Sequence, residues 1–120
     1  MGINFKDVTG IHADALNLRT ERSRVLASNI ANENTPGFQA QDIDFASSMA
    51  RLQSEADGGL SLMSESDPLF RVPHHPTADG NTVEIGVEQA AFSQNATDFQ
   101  TSLTFINMKL KGLAKAINGQ

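Results

Sequence analysis

The chain has 120 residues and a mass of 12.9 kDa, which is one small domain's worth of sequence. It carries 9 Lys and Arg against 14 Asp and Glu, and the net charge of −5 makes it a poor generic partner for nucleic-acid phosphates. It has no Cys, which excludes a disulfide framework, a thiolate zinc site and a cysteine nucleophile.

The N-terminal segment opens without a basic patch followed by an apolar run. It is therefore not expected to be a cleavable secretory signal, and any export would use another route. Val8, Ile11, Ala15, Leu18, Arg22 and Val25 then recur at spacings of 3 and 4, and Leu16, Leu26 and Ile30 widen the stripe. This spacing predicts a helix over 6–33. Pro36 disfavours helical geometry at Thr35, and Pro36-Gly37 is a turn signal, so the helix stops there.

A connecting region over 34–85 follows. Residues 38–45 read as extended or irregular. Asp44 is placed to cap a short helix through about Leu52, with Phe45, Met49 and Leu52 on one side. Residues 53–68 are rich in Ser, Gly and acid and are expected to form a mobile, disordered loop. Residues 69–72 and 82–85 are two short β-like runs. A small hairpin between them would turn at Asp79-Gly80-Asn81, with Pro73 and Pro76 working against it.

The last segment, 86–118, has the clearest period. Phe92, Ala96, Phe99, Leu103, Ile106, Leu110, Leu113 and Ile117 alternate spacings of 4 and 3 without a break. That is the apolar seam of a coiled-coil-like helix. Gly86 or a neighbour would start it, and Glu88 suits its N-terminal dipole. Lys109, Lys111 and Lys115 suit its C-terminal end, and Gly119 would stop it. The expected fold is mainly α. Long N- and C-terminal helices form a coiled-coil-like hairpin in a single domain over 1–120, with a short irregular or β-hairpin middle and the mobile loop.

Charge divides the same way. Residues 1–32 sum to +1, residues 33–88 to −8 and residues 89–120 to +2. No apolar run reaches the roughly 20 residues of a membrane span. His74-His75 sits between prolines with no Cys nearby and reads as solvated loop rather than metal ligand. The pairs Asp42/Asp44 and Glu65/Asp67 lie in polar stretches, where capping and solubility account for them better than acid–base chemistry. Phosphate loops, nucleophile elbows and zinc-protease motifs are missing, so neither an enzyme nor a resident cofactor or metal is expected. Leu16, Leu26, Phe105 and Met108 lie off the main seams. A two-helix hairpin does not need them, whereas a helix with several neighbours does. Assembly is thus favoured over an isolated hairpin.

Asn29-Ile30-Ala31-Asn32-Glu33-Asn34-Thr35-Pro36-Gly37-Phe38 closely resembles the signature of the bacterial flagellar rod and hook protein family. There an N-terminal helix ends in Asn-x-Ala-Asn-x-x-Thr-Pro-Gly and an aromatic, and Asn29, Ala31, Asn32, Thr35, Pro36, Gly37 and Phe38 match every specified position. Residues 39–45 and 79–84, with Asn95, Phe99, Gln100, Ser102, Leu103 and Ile106, extend the resemblance toward the small subunits of the proximal rod. The family usually has Tyr where this chain has Phe38 and Phe99, so two possible hydrogen bonds are lost and the rings kept. The connecting region is too short for the large outer domains of distal rod, hook or filament proteins.

The resemblance implies a structural subunit of the basal-body rod, which crosses the periplasm. Such a subunit is exported through the flagellar type III apparatus without a cleaved signal and polymerises at the growing tip, helping to form the drive-shaft that transmits torque for motility. The expected partners are other flagellar rod subunits, the basal-body junction protein at the rod base and the export apparatus, with no nucleic acid and no small-molecule substrate. The expected assembly seam is Ile11, Leu18, Val25, Phe92, Phe99, Leu103, Ile106, Leu110 and Leu113. Two other readings stay open at this point: another small rod paralogue, and a cytoplasmic helical export chaperone or adaptor.

Overall fold

A computed structural model of the protein describes residues 5–56 and 68–119. Five elements follow in chain order: α1 (Phe5–Ala31), β1 (Gln41–Asp42), α2 (Phe45–Ala56), β2 (Leu69–Phe70) and α3 (Ile85–Ile117). The fold is mainly α. The described part extends over 64 × 32 × 18 Å, an elongated shape set by α3, whose 33 residues span about 50 Å.

α1 and α3 pack antiparallel. Asn29 near the end of α1 meets Glu88 near the start of α3, and Arg19, two to three turns back, meets Asp98. α2 crosses back onto α1. Asp44 caps it as its residue type demands: Oδ1 accepts from the Ser47 amide at 3.3 Å and Oδ2 from the Ser47 hydroxyl at 2.8 Å. Phe45, Met49 and Leu52 are half-buried on one side.

Two expectations need correction. The short helix does not stop near Leu52 but runs to Ala56, so residues 53–56 are helical rather than loop. Gln53, Ser54, Glu55 and Ala56 tolerate helix, and Glu55 is half-buried there. The rest of the expected loop, 57–67, lies outside the described residues. The two β-like runs do not form a hairpin with each other. β2 pairs antiparallel with β1, Gln41 opposite Phe70 and Asp42 opposite Leu69. Residues 82–84 are engaged elsewhere: the Thr82 amide donates to Phe38 O at 2.9 Å, and its hydroxyl accepts from the Ala40 amide at 2.8 Å. The extended stretch 37–42 is thus the shared partner, held by residue 79 at one end, 82 in the middle and 69–71 at the other. Glu88 lies in the first turn of α3, as expected for its dipole, and is fully buried.

The buried apolar core is small. Among the described residues it comprises Leu18, Leu26, Ala40 and Ile43, while Asn29, Ser48, Asn81, Glu88 and Asn95 are buried polar groups. Burying so much polarity requires nearly every group to find a partner, and among the described residues only Arg19 Nε and Asn95 Oδ1 are buried side-chain atoms without a hydrogen bond. The tertiary arrangement is largely the solution to that requirement.

Candidate assembly interface

At the end of the hairpin where the connecting region joins α1 to α3, the polar groups form one connected cluster. Asn29 acts as a surrogate strand for β1. Its Nδ2 donates to Gln41 O at 2.6 Å and its Oδ1 accepts from the Gln41 amide at 3.0 Å. The same Nδ2 donates to Glu88 Oε2 at 2.8 Å. The other oxygen of Glu88 accepts from the Arg71 guanidinium, which also reaches Asp42 Oδ2 at 3.0 Å. Arg22 of α1 completes the cluster with a two-pronged pair to Asp42, at 2.9 and 3.0 Å. One helix from each terminus and both strands therefore meet on two carboxylates and two guanidiniums.

Electrostatics follow from this geometry. Burial pushes the Asp42 carboxyl up, but the hydrogen bond and charge of Arg22, the Ile43 amide and Arg71 outweigh it and hold Asp42 below its ordinary value. The Asp42 hydrogen bond raises Arg22 in turn, against the opposing effect of burial.

The signature segment folds beside this cluster. Asn32 Nδ2 donates to Ser28 O at 2.8 Å, and its Oδ1 accepts from the Thr35 hydroxyl at 3.1 Å. Asn81, 46 to 49 positions onward, caps the same helix end from outside. Its Nδ2 donates to the carbonyls of Asn32, Glu33 and Thr35 at 2.7 to 2.9 Å. These carbonyls belong to the turn that follows α1, and Asn32 O also accepts from the Thr35 amide at 3.1 Å. Gly37 adopts φ +75°, and its amide donates to Asp79 O at 2.9 Å. Gly80, also at φ +75°, approaches so closely that a Cβ there would stand 3.6 Å from Gly37 Cα. Asn29 and Asn32 are thus structural ties, Phe38 is half-buried, and Ala31, Thr35, Pro36 and Gly37 are exposed.

Along the hairpin the sequence-predicted seam is only partly covered. Leu18 is buried, while Val25, Phe99, Leu103, Ile106 and Leu113 are half-buried. Ile11, Phe92 and Leu110 are exposed, as are Ala96 and Ile117 of the same periodic series. The deepest positions of α3 are Glu88 and Asn95, one heptad apart and both polar. Asn95 Nδ2 donates to Arg19 O at 2.8 Å and to the Ser23 hydroxyl at 2.7 Å, fixing the register of the two helices. Arg19 then pairs with Asp98 at 3.2 Å and lies over the Phe45 ring, 3.9 Å from its centroid, joining all three helices. Off the seam, Phe105 and Met108 are 53% and 62% exposed.

Arg22, Asp42, Arg71, Glu88, Asn81 and Asn95 carry much of this architecture, and of these only Arg22 falls in an apolar periodic series. Asn95 had a signal only in the family resemblance, whereas the 79–84 stretch also carried a turn signal and a β-like run. His74 and His75 are exposed, and the His74 amide donates to Glu84 Oε1 at 2.7 Å. No group of three or more metal-ligating side chains occurs among the described residues, and no helix there is long and apolar enough to cross a membrane.

Comparison with known proteins gives a consistent result. The flagella basal body rod protein family matches residues 11–39, which include the whole signature segment. The chain is 43% identical to the flagellar basal body rod protein FlgB of Aeromonas hydrophila, with all of this chain and 99% of that protein covered. It is 42% identical to the protein of the same description from Cereibacter sphaeroides, over 97% of this chain and 98% of that one. It is 40% identical to that of Salmonella typhimurium, over 88% of this chain and 89% of that one.

Proposed function

Because this chain belongs to the flagella basal body rod protein family, we propose that it builds the rod through the apolar faces its terminal helices leave uncovered. It is a structural subunit of the flagellar basal-body rod, at its proximal part, and associates with other rod components. The finer reading is a division of labour between two kinds of surface. Polar clamps at Glu88 and Asn95 set the shape and register of the hairpin. The apolar side chains beside them complete their packing only against neighbouring subunits.

One observation carries this reading. Phe92, Phe105, Met108, Leu110 and Ile117 of α3 are 38% to 63% exposed, although the helix already has α1 along its side. Covering such side chains yields roughly 25 cal/mol per Å² of apolar surface. A subunit whose core holds four buried apolar residues among those described has most to gain from that burial. Further elements of the proposal are export through the flagellar type III apparatus, passage of the finished rod across the periplasm, and contact with the junction protein at the rod base. The chain has no role in catalysis under this reading.

Electron microscopy of basal bodies from cells lacking the gene tests it. Rings without rod, hook or filament are expected. A plasmid copy of the chain restores the rod, and a copy carrying Leu110→Asp does not. Normal flagella in the deleted strain would overturn the reading.

A further inference from the structure

Between α1 and α2 lies a cavity of about 300 Å³. Asp14, Glu21 and Glu55 line it together with Arg51, Glu21 is paired with Arg24 at 3.3 Å, and Leu18 and Leu52 supply an apolar side. The site is an acidic groove with a greasy wall. Its complement is legible on the same molecule. From Phe99 to Gly119 the chain carries Lys109, Lys111 and Lys115 and no acidic residue. Exposed Phe105 and Met108 lie within three turns of those lysines.

The two surfaces cannot meet within one subunit. The Arg19 carbonyl and guanidinium are tied to Asn95 and Asp98, which sets the groove level with the middle of α3. The lysines lie beyond it, toward the free end of the helix. A groove in one place and its complement in another make a heterologous contact, the kind that continues along a stack instead of closing on itself.

We infer that the α1–α2 groove receives the lysine-bearing C-terminal end of a long amphipathic helix of the α3 type from a neighbouring axial subunit. The inference rests on the assembly reading above and names one of its contacts. The lysines face the three carboxylates, and a large apolar side chain placed like Met108 packs on Leu18 and Leu52. Charge opposition sets orientation and selects against acidic segments.

The probe is a fluorescein-labelled synthetic peptide of residues 99–119, titrated into the full chain and followed by anisotropy. Binding is expected, and it weakens steeply as salt rises. The double variant Asp14→Lys/Glu21→Lys alters one half-buried and one exposed groove residue and is expected to weaken binding by about tenfold, with unchanged circular dichroism. A peptide with its three lysines replaced by glutamate should not bind. Equal binding to the double variant, equal binding of the glutamate peptide, or no binding at all overturns the inference. A peptide that merely displaced α3 from α1 would ignore the groove charges and so gives the overturning result. Failure here leaves the rod-building role intact. Failure of that role, read from basal bodies, leaves the peptide result standing.

Discussion

Asn29 and Glu88 stand 59 positions apart and share a 2.8 Å hydrogen bond at a site closed to solvent. The bond ties the end of the first long helix to the start of the last. Arg71 holds the other oxygen of Glu88, so one buried carboxylate joins α1, α3 and the β2 segment.

Removing one charge from that site should cost more than removing two. Arg71→Leu leaves Glu88 buried with Asn29 alone and is expected to destabilise by about 3 kcal/mol. The double variant Arg71→Leu/Glu88→Leu removes the orphaned charge and should recover part of that loss. Urea midpoints followed by circular dichroism give both values. A double variant as unstable as the sum of the two singles would contradict the coupling.

Asn81→Ala removes the amide shared by three carbonyls of the turn after α1, of which Asn32 O keeps the Thr35 amide. The expected loss is about 1 to 2 kcal/mol, or a thermal midpoint lower by about 4 to 8 °C. Amide hydrogen exchange should speed up first across 32–37 and only weakly in the middle of α3.

Acid should loosen the hairpin through Asp42. Its carboxyl is held below the ordinary 3.8 in the folded state, so the unfolded chain binds the proton more readily. The stabilisation is fully present above about pH 5 and fades as pH falls through the folded value. Asp42→Asn should flatten this acid limb and lower stability near neutrality. Denaturation midpoints from pH 7 to pH 3 decide it; parallel curves for the two proteins would refute the assignment.

Leu110→Asp separates folding from assembly. The side chain is 46% exposed, so the carboxylate can stay hydrated in the free subunit and helix content should change little. In a rod the same carboxylate would be buried without a partner, an unfavourable state by several kcal/mol. Soft-agar motility and mass spectrometry of purified basal bodies should both show loss of the variant. Wild-type incorporation would remove this face from the mechanism.

Much was legible before any tertiary contact. The 3–4 spacing of apolar residues marked both long helices, and Pro36-Gly37 marked where the first must end, because a proline ring and a φ of +75° are local constraints. Asp44 announced its cap. The seam pattern, however, ranked residues by hydrophobicity, and the hairpin chose differently. Its deepest α3 positions are Glu88 and Asn95, while Phe92 and Leu110 stay open. Apolar period reveals which face wants cover but not which neighbour supplies it.

The strands show the same division. Residues 69–72 and 82–85 carry β-like composition, yet their partners depended on where unsatisfied backbone groups came to lie. Arg71 N found Ala40 O at 2.8 Å and Thr82 N found Phe38 O at 2.9 Å, so both runs attach to one central stretch. The sequence by itself determined the helices, the stops of the two long ones, the acidic middle and, through the ten-residue signature, the family. Only the tertiary structure decided that Asn29, Asn81 and Asn95 satisfy groups 12 to 76 positions away, and that Arg22 and Arg71 share one carboxylate. Helical period and turn chemistry act within a few residues of chain. A buried polar group is satisfied by whatever the fold brings to it, and that partner can come from any distance.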